Sequence, residues 1–149
     1  NRILKHNLKE CTAEQNMEAV VNAKKAGLRV RAQFIVGLPG ETNESVKVLG
    51  DFIRRCPADS MAAHCFVPLP GSPIYSHPER FGWDWNRNTD LLHYQTIGKP
   101  GEWKAHQIHL NPDEILRWLI EIKAIIAGKN VFLHDARHQA VIDGILGAC

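Results

Sequence analysis

The order of apolar patterns along the chain predicts an α/β fold, running helix, strand, helix, strand and then into a C-terminal helical part. Three observations carry this. An alternating run from Leu28 to Val36 stops at Gly37-Leu38-Pro39-Gly40, a second run from Ser60 to Val67 stops at Pro68-Leu69-Pro70-Gly71, and patterns of helical period precede and separate the two. Strand, helix, strand implies a right-handed parallel βαβ unit. Parallel sheets are normally covered on both faces and two strands are rarely stable alone. The chain is therefore expected to be part of a larger sheet, with an open strand edge through which it could self-associate.

Each element has a local cause. Ile3, Leu4 and Leu8 have helical spacing, but the stretch is too short to define an element. Thr12-Ala13-Glu14-Gln15 is a capping box, in which the Thr12 hydroxyl takes the N–H of Gln15 and the Gln15 side chain reaches back, so a helix is expected over about 13–26. Met17, Val20 and Val21 give it an apolar face, Lys24 and Lys25 suit its negative end, and Gly27 stops it. In the first strand Leu28, Val30, Ala32, Phe34 and Val36 share one face, and Arg29, Arg31, Gln33 and Ile35 share the other. Glu41 and Glu44 suit the positive end of the next helix, which buries Val46, Leu49, Phe52 and Ile53 and ends before Pro57. Gly50 in its interior costs about 1 kcal/mol relative to alanine.

Beyond Ile74 the pattern loosens as far as His109. The run Phe81-Gly82-Trp83-Asp84-Trp85-Asn86 reads as an aromatic pin that holds a long loop to the body. Asn111-Pro112-Asp113-Glu114 then opens a helix with an apolar face of Ile115, Leu116, Leu119, Ile122, Ile125 and Ile126, which ends at Gly128. A last helix is expected over about 131–146, using Val131, Phe132, Ala136, Val141, Ile142, Ile145 and Leu146.

Composition bounds the function. With 149 residues, 44% apolar content and a net charge of +2, the chain can bury one ordinary core and gives no reason to expect nucleic acid as a partner. No apolar run reaches the roughly 18 residues of a membrane span, no secretory leader is visible at Asn1-Arg2-Ile3, and a cytoplasmic location is expected. Without an initiator Met, the chain reads as a piece of a longer polypeptide. Cys11, Cys56, Cys65 and Cys149 show no Cys-x-x-Cys spacing, so they are read as reduced thiols rather than metal ligands or disulfides.

Several motifs, taken in order, resemble those of radical S-adenosylmethionine enzymes: Asn1-Arg2-Ile3-Leu4, Thr12-Ala13-Glu14-Gln15, Ala26-Gly27-Leu28, Phe34 through Thr42, and Val67 through Tyr75. More narrowly they resemble the cobalamin-binding subgroup that includes anaerobic magnesium-protoporphyrin monomethyl ester cyclases. The resemblance implies that residues 1–75 are the C-terminal part of a partial (β/α)6 barrel similar to a TIM barrel. The two strands would be its fifth and sixth, and residues 76–149 would form a separate extension. It further implies S-adenosylmethionine and a 4Fe-4S cluster as cofactors, with cobalamin in that subgroup, a small-molecule substrate, and reductive cleavage to a 5′-deoxyadenosyl radical in the parent enzyme. The three-cysteine cluster motif is absent here, so the upstream part of the same polypeptide would carry the redox centre and the isolated chain would be inactive. By the same resemblance Ile35 and Gly37 would lie near the adenine, with Gln33 standing where the family has a first glycine. Phe66, Val67 and Pro68 would meet the adenine edge. Arg31, on the same face as Ile35, would either pair with a cofactor or substrate carboxylate or be a solvated or structural arginine.

Other constellations carry less. Gly37 through Thr42 lacks the Lys-Ser/Thr of a phosphate loop, and Glu41 stands where it would repel phosphate, leaving a structural turn or an adenine-side loop. His106 with His109, and His134 with His138, have metal-compatible spacing but no third ligand, and read as surface histidines. His64 is either a packed strand residue or a proton donor on the open face, and Cys65 reads as a small core residue. No catalytic residue can be assigned. The alternative to an enzyme part is a self-contained, non-enzymatic α/β module that binds a nucleotide or a protein.

Overall fold

The computed structural model describes residues 1–84, 106–107, 112–129 and 132–133. Helix α1 spans Arg2–His6 and α2 spans Ala13–Lys25. Strand β1, Arg31–Val36, is joined by α3, Asn43–Arg55, to β2, Ser60–Cys65. A short α4, Pro73–Ser76, and a 3-10 turn, Pro78–Phe81, lead to β3, Trp83–Asp84. Strand β4, His106–Gln107, helix α5, Pro112–Gly128, and strand β5, Phe132–Leu133, follow.

The expected parallel pair is present, with Arg31 opposite Ser60 and Val36 opposite Cys65. Its register starts at an electrostatic knot before β1. The Asp59 carboxylate accepts the N–H of Val30 at 2.7 Å and the Lys24 ammonium at 2.5 Å, while the N–H of Asp59 donates to the carbonyl of Val30. One side chain thus ties the C-terminal end of α2 to the start of both strands. Both anticipated helix starts are also present. Thr12 and Gln15 form the capping box of α2, and Thr42 and Ser45 form a second one at α3.

One face of the sheet is covered. Val36, Met61, Ala63 and Cys65 pack with Val46 and Ile53 of α3 and with Ile115, Trp118, Ile122 and Ile126 of α5. Burying a side chain of this size contributes about 1.5–3 kcal/mol, so α5 is a main source of stability. Its largest buried group is Trp118, which the sequence reading left out of the apolar face; the indole Nε1 donates to Asn43 Oδ1 at 2.6 Å. Gly50 also gains a reason. A Cβ there would stand 2.8 Å from Ile125 Cδ1, so the helix gives up propensity to let α5 approach closely. Lys129 closes the same contact by donating to the carbonyls of Ile53, Arg54 and Cys56 at the end of α3.

Three expectations are corrected. The sheet has three strands among the described residues, in the order β1-β2-β5, because Phe132 and Leu133 pair in parallel with Ser60 and Met61. They are therefore not the start of a helix over 131–146. Phe132 and Leu133 can satisfy their backbone against the free edge of β2, which helical periodicity does not register. The segment after Ile74 is not one loose loop, since it contains α4, the 3-10 turn and an antiparallel pairing of β3 with β4. The aromatic pin holds for Phe81, whose ring meets His6 edge to face at 6.3 Å. Trp85, Asn86, His109, Asn111, the pair His134 and His138, Cys149 and most of the last expected helix lie outside the described residues. Among the described residues no helix is long and apolar enough to cross a membrane.

Candidate functional site

The candidate site is the end of the β1–β2 pair where both chains leave the sheet. Alternation sends Arg31, Gln33 and Ile35 to the face opposite the core, and all three are exposed, Ile35 by 43%. The register sets His64 beside Ile35, also exposed, so its parity is that of the open face and not of the core. Gly37 follows at φ +85°, buried, and a Cβ there would lie 2.9 Å from Ile115 Cγ2. Only glycine meets both demands, the left-handed backbone and the close approach of α5.

Phe66 continues the ladder beyond β2, its N–H donating to the Val36 carbonyl at 2.7 Å. Phe66 and Val67 are half-buried, and Pro68 is fully buried. Among the described residues the N–H of Val67 has no hydrogen-bond partner. Ile35, Gly37, Phe66 and Val67 are thus brought to one end of the sheet. Arg31 is not: it lies at the opposite end of β1, facing Ser60 in the register.

The loop between β1 and α3 is held from two sides. Inside, the Glu41 side chain is 7% exposed, and its Oε2 accepts the N–H of Gly37 at 2.6 Å and that of Leu38 at 3.2 Å. Outside, Arg2 donates to the Gly40 carbonyl at 2.9 Å and Asn7 to the Pro39 carbonyl at 3.0 Å. Burial pushes the Glu41 carboxyl up to about 7, against the opposing pull of the two amides. This corrects the expectation that Glu41 serves the positive end of α3; Thr42 caps that helix and Glu41 folds back onto its own loop. The sequence does carry a signal for it, a carboxylate four residues after a glycine that ends a strand. That signal has meaning only once the loop is known to be buried. Burial likewise pushes the Cys65 thiol up to about 12, and the buried Lys123 only partly offsets this, so Cys65 stays neutral and inert.

Two cofactors can be tested against these residues. An iron-sulfur cluster does not fit: no three of the described His, Cys, Asp or Glu side chains are grouped to hold a metal, and Cys56 and Cys65 are buried apart from any such group. An adenine edge would need an apolar surface and a backbone donor. The end of the pair offers an exposed Ile35 side chain and, among the described residues, an N–H of Val67 without a hydrogen-bond partner.

No family model matches the chain. It is 34% identical over 76 residues to an uncharacterized methyltransferase of Pyrococcus horikoshii, which is 51% of this chain and 17% of that protein. It is 28% identical over 118 residues to the ribosomal protein uS12 methylthiotransferase RimO of Acaryochloris marina, 78% of this chain and 26% of the relative. With RimO of Paraburkholderia phytofirmans it shares 35% identity over 72 residues, 47% of this chain and 16% of the relative. The chain thus spans about a quarter or less of the length of these curated relatives, and it shows partial homology to radical S-adenosylmethionine enzymes.

Proposed function

We propose that residues 31–68 form the adenosyl-side wall of a radical S-adenosylmethionine enzyme, and that this chain is the C-terminal part of its barrel. The observation that carries the reading is the juxtaposition at one end of the β1–β2 pair, where exposed Ile35 and the Gly37 turn stand beside the Phe66-Val67-Pro68 exit with the Val67 N–H available. The partial homology supports the class, and the names of the relatives favour methyl or methylthio transfer. We place that ahead of the cobalamin-linked cyclase chemistry that the motifs of residues 1–75 suggest. The cluster-bearing portion would come from the upstream part of the same polypeptide. It would pair with the outer edge of β1, which carries no partner strand among the described residues.

Two experiments test this. Anaerobic treatment of the 149-residue chain with iron and sulfide is expected to leave it without cluster absorbance and without cleavage of S-adenosylmethionine. Cleavage by this chain alone would overturn the division of labour. Titration of the 15N-labelled chain with S-adenosylhomocysteine should move the amides of Ile35, Gly37, Phe66 and Val67. A few hydrogen bonds at about 1 kcal/mol each are largely cancelled by the roughly 4 kcal/mol that association costs, so the apolar contact at Ile35 must supply the surplus and only weak binding, read at high ligand concentration, is expected. Shifts confined to other residues, or none, would sink the wall reading.

A further inference from the structure

We propose that Glu41 is a proton-sensitive positioning residue, its carboxylate fixing the backbone of Gly37 and Leu38 and with it the loop that borders the candidate wall. The inference deepens the reading above in assigning the loop to that wall, but the device itself stands on the loop's own geometry. Both amides converge on one oxygen, Oε2, from 2.6 and 3.2 Å, in a side chain 7% exposed. Two of the loop carbonyls turn the other way, that of Gly40 to Arg2 and that of Pro39 to Asn7, while that of Leu38 accepts the Glu41 N–H. The amides of Gly37 and Leu38 thus face the Glu41 carboxylate while the carbonyls of Pro39 and Gly40 face α1 and the turn after it, and Glu41 holds the inward half. Among the described residues the second oxygen, Oε1, has no hydrogen-bond partner.

Protonation therefore changes the loop without needing to break it. In the ionised form the two amides make charge-assisted hydrogen bonds, which are the stronger kind. In the protonated form Oε2 still accepts, more weakly, while Oε1 gains a proton that no described residue accepts. Burial brings both forms within reach near neutral pH. The filled amide pair also bears on ligand class. The two N–H groups that could cradle a phosphate are already occupied by an internal anion, which suits a cationic sulfonium ligand and disfavours a nucleoside phosphate.

The other charged or titratable groups on the surrounding elements are Arg2, Lys5 and His6 on α1, Arg31 on β1, Glu44, Lys47, Asp51, Arg54 and Arg55 on α3, His64 and Cys65 on β2, and Asp113, Glu114, Arg117, Glu121 and Lys123 on α5. Of these His6 is the confounder, because its ring lies against Gly40. The test is an NMR pH titration of the whole 15N,13C-labelled chain. The amides of Gly37 and Leu38 should move together with a midpoint near 7, in step with the Glu41 carboxyl carbon, and H6Q should leave that midpoint in place. In E41Q, which keeps an acceptor oxygen without the charge, both amides should stay at the acid-limit position at every pH. Amides that do not titrate, that titrate unchanged in E41Q, or that follow His6 would overturn the proposal. Should E41Q not fold, the carboxyl carbon and the two amides of the unmodified chain still decide the matter. The S-adenosylhomocysteine titration is read separately: its failure removes the wall reading, whereas failure of the amide titration removes the device.

Discussion

Strand β1 is held at each end by a carboxylate that accepts a backbone N–H, and the two carboxylates behave in opposite ways. At the start, Asp59 takes the amide of Val30 and also the Lys24 ammonium, at the protein surface. Those hydrogen bonds, Lys24's first, hold its carboxyl below the ordinary aspartate value. At the finish, Glu41 takes the amides of Gly37 and Leu38 in the interior, and burial drives its carboxyl up to about 7. Both receive amide hydrogens, so the difference comes from the cation and the water available to Asp59. Amides alone do not outweigh the loss of solvent around a buried charge. The cation-paired end is scaffold, and the end with a costly buried acid borders the candidate site.

The largest expected effect sharpens this contrast through two glycines. Gly37→Ala puts a side chain into a left-handed backbone and into Ile115, and the sum of strain and overpacking should cost roughly 4 kcal/mol in urea unfolding. Gly27→Ala at the other end is also left-handed but meets nothing within 4 Å, so about 1 kcal/mol is expected. Equal losses at the two positions would break the comparison.

The second effect is on pH dependence. The folded-state value of Glu41 is raised from 4.5 to about 7, so the folded state binds the proton more tightly than the unfolded chain does. The stability linked to this proton is fully present below about 4.5 and is lost as pH rises through about 7, a span of about 3 kcal/mol. Unfolding free energies measured from mildly acid to mildly alkaline pH should fall by that order, and E41Q should flatten the slope. A slope of the opposite sign would place Glu41 with Asp59.

Third comes the cation that closes the core rather than the strand. Lys129→Met keeps the aliphatic stem but leaves the carbonyls of Ile53, Arg54 and Cys56 without their shared donor. Roughly 2 kcal/mol of stability should go, by thermal or urea unfolding, with little dependence on pH near neutrality. The smallest effect is expected at Asp59→Asn. Its lowered value means that its contribution is present above the ordinary aspartate range and disappears as pH falls through the folded-state value. The loss should be modest at neutral pH and should shrink further with added salt, because the pair is partly solvated.

Most of the scaffold was legible because its causes are local. Thr12 and Gln15 announce α2, Asp113 and Glu114 the first turn of α5, and the alternation from Leu28 to Val36 a strand with one covered face, although the strand itself spans Arg31–Val36 and Leu28 is exposed. Ile35, Gly37, Phe66 and Val67 were singled out by the family resemblance, and the register brings them to a common end of the strand pair. Trp118 was missed because an indole fits an apolar stripe only if its N–H finds a partner, and that partner, Asn43, is 75 residues away. Arg31 was grouped with Ile35 by face, correctly, but the site lies at an end of the strand and not along a face.

The sequence by itself determined which segments become α2, α3, α5, β1 and β2, and which face of each is apolar, because periodicity and capping act over a few residues. Tertiary structure alone decided that Phe132 and Leu133 complete a third strand, that Gly50 is a contact rather than a flaw, and that Glu41 is buried on its own loop. The physical reason is common to all three. An exposed backbone edge, the space beside a helix and the cost of a charge depend on which surfaces meet, and no local pattern specifies that meeting.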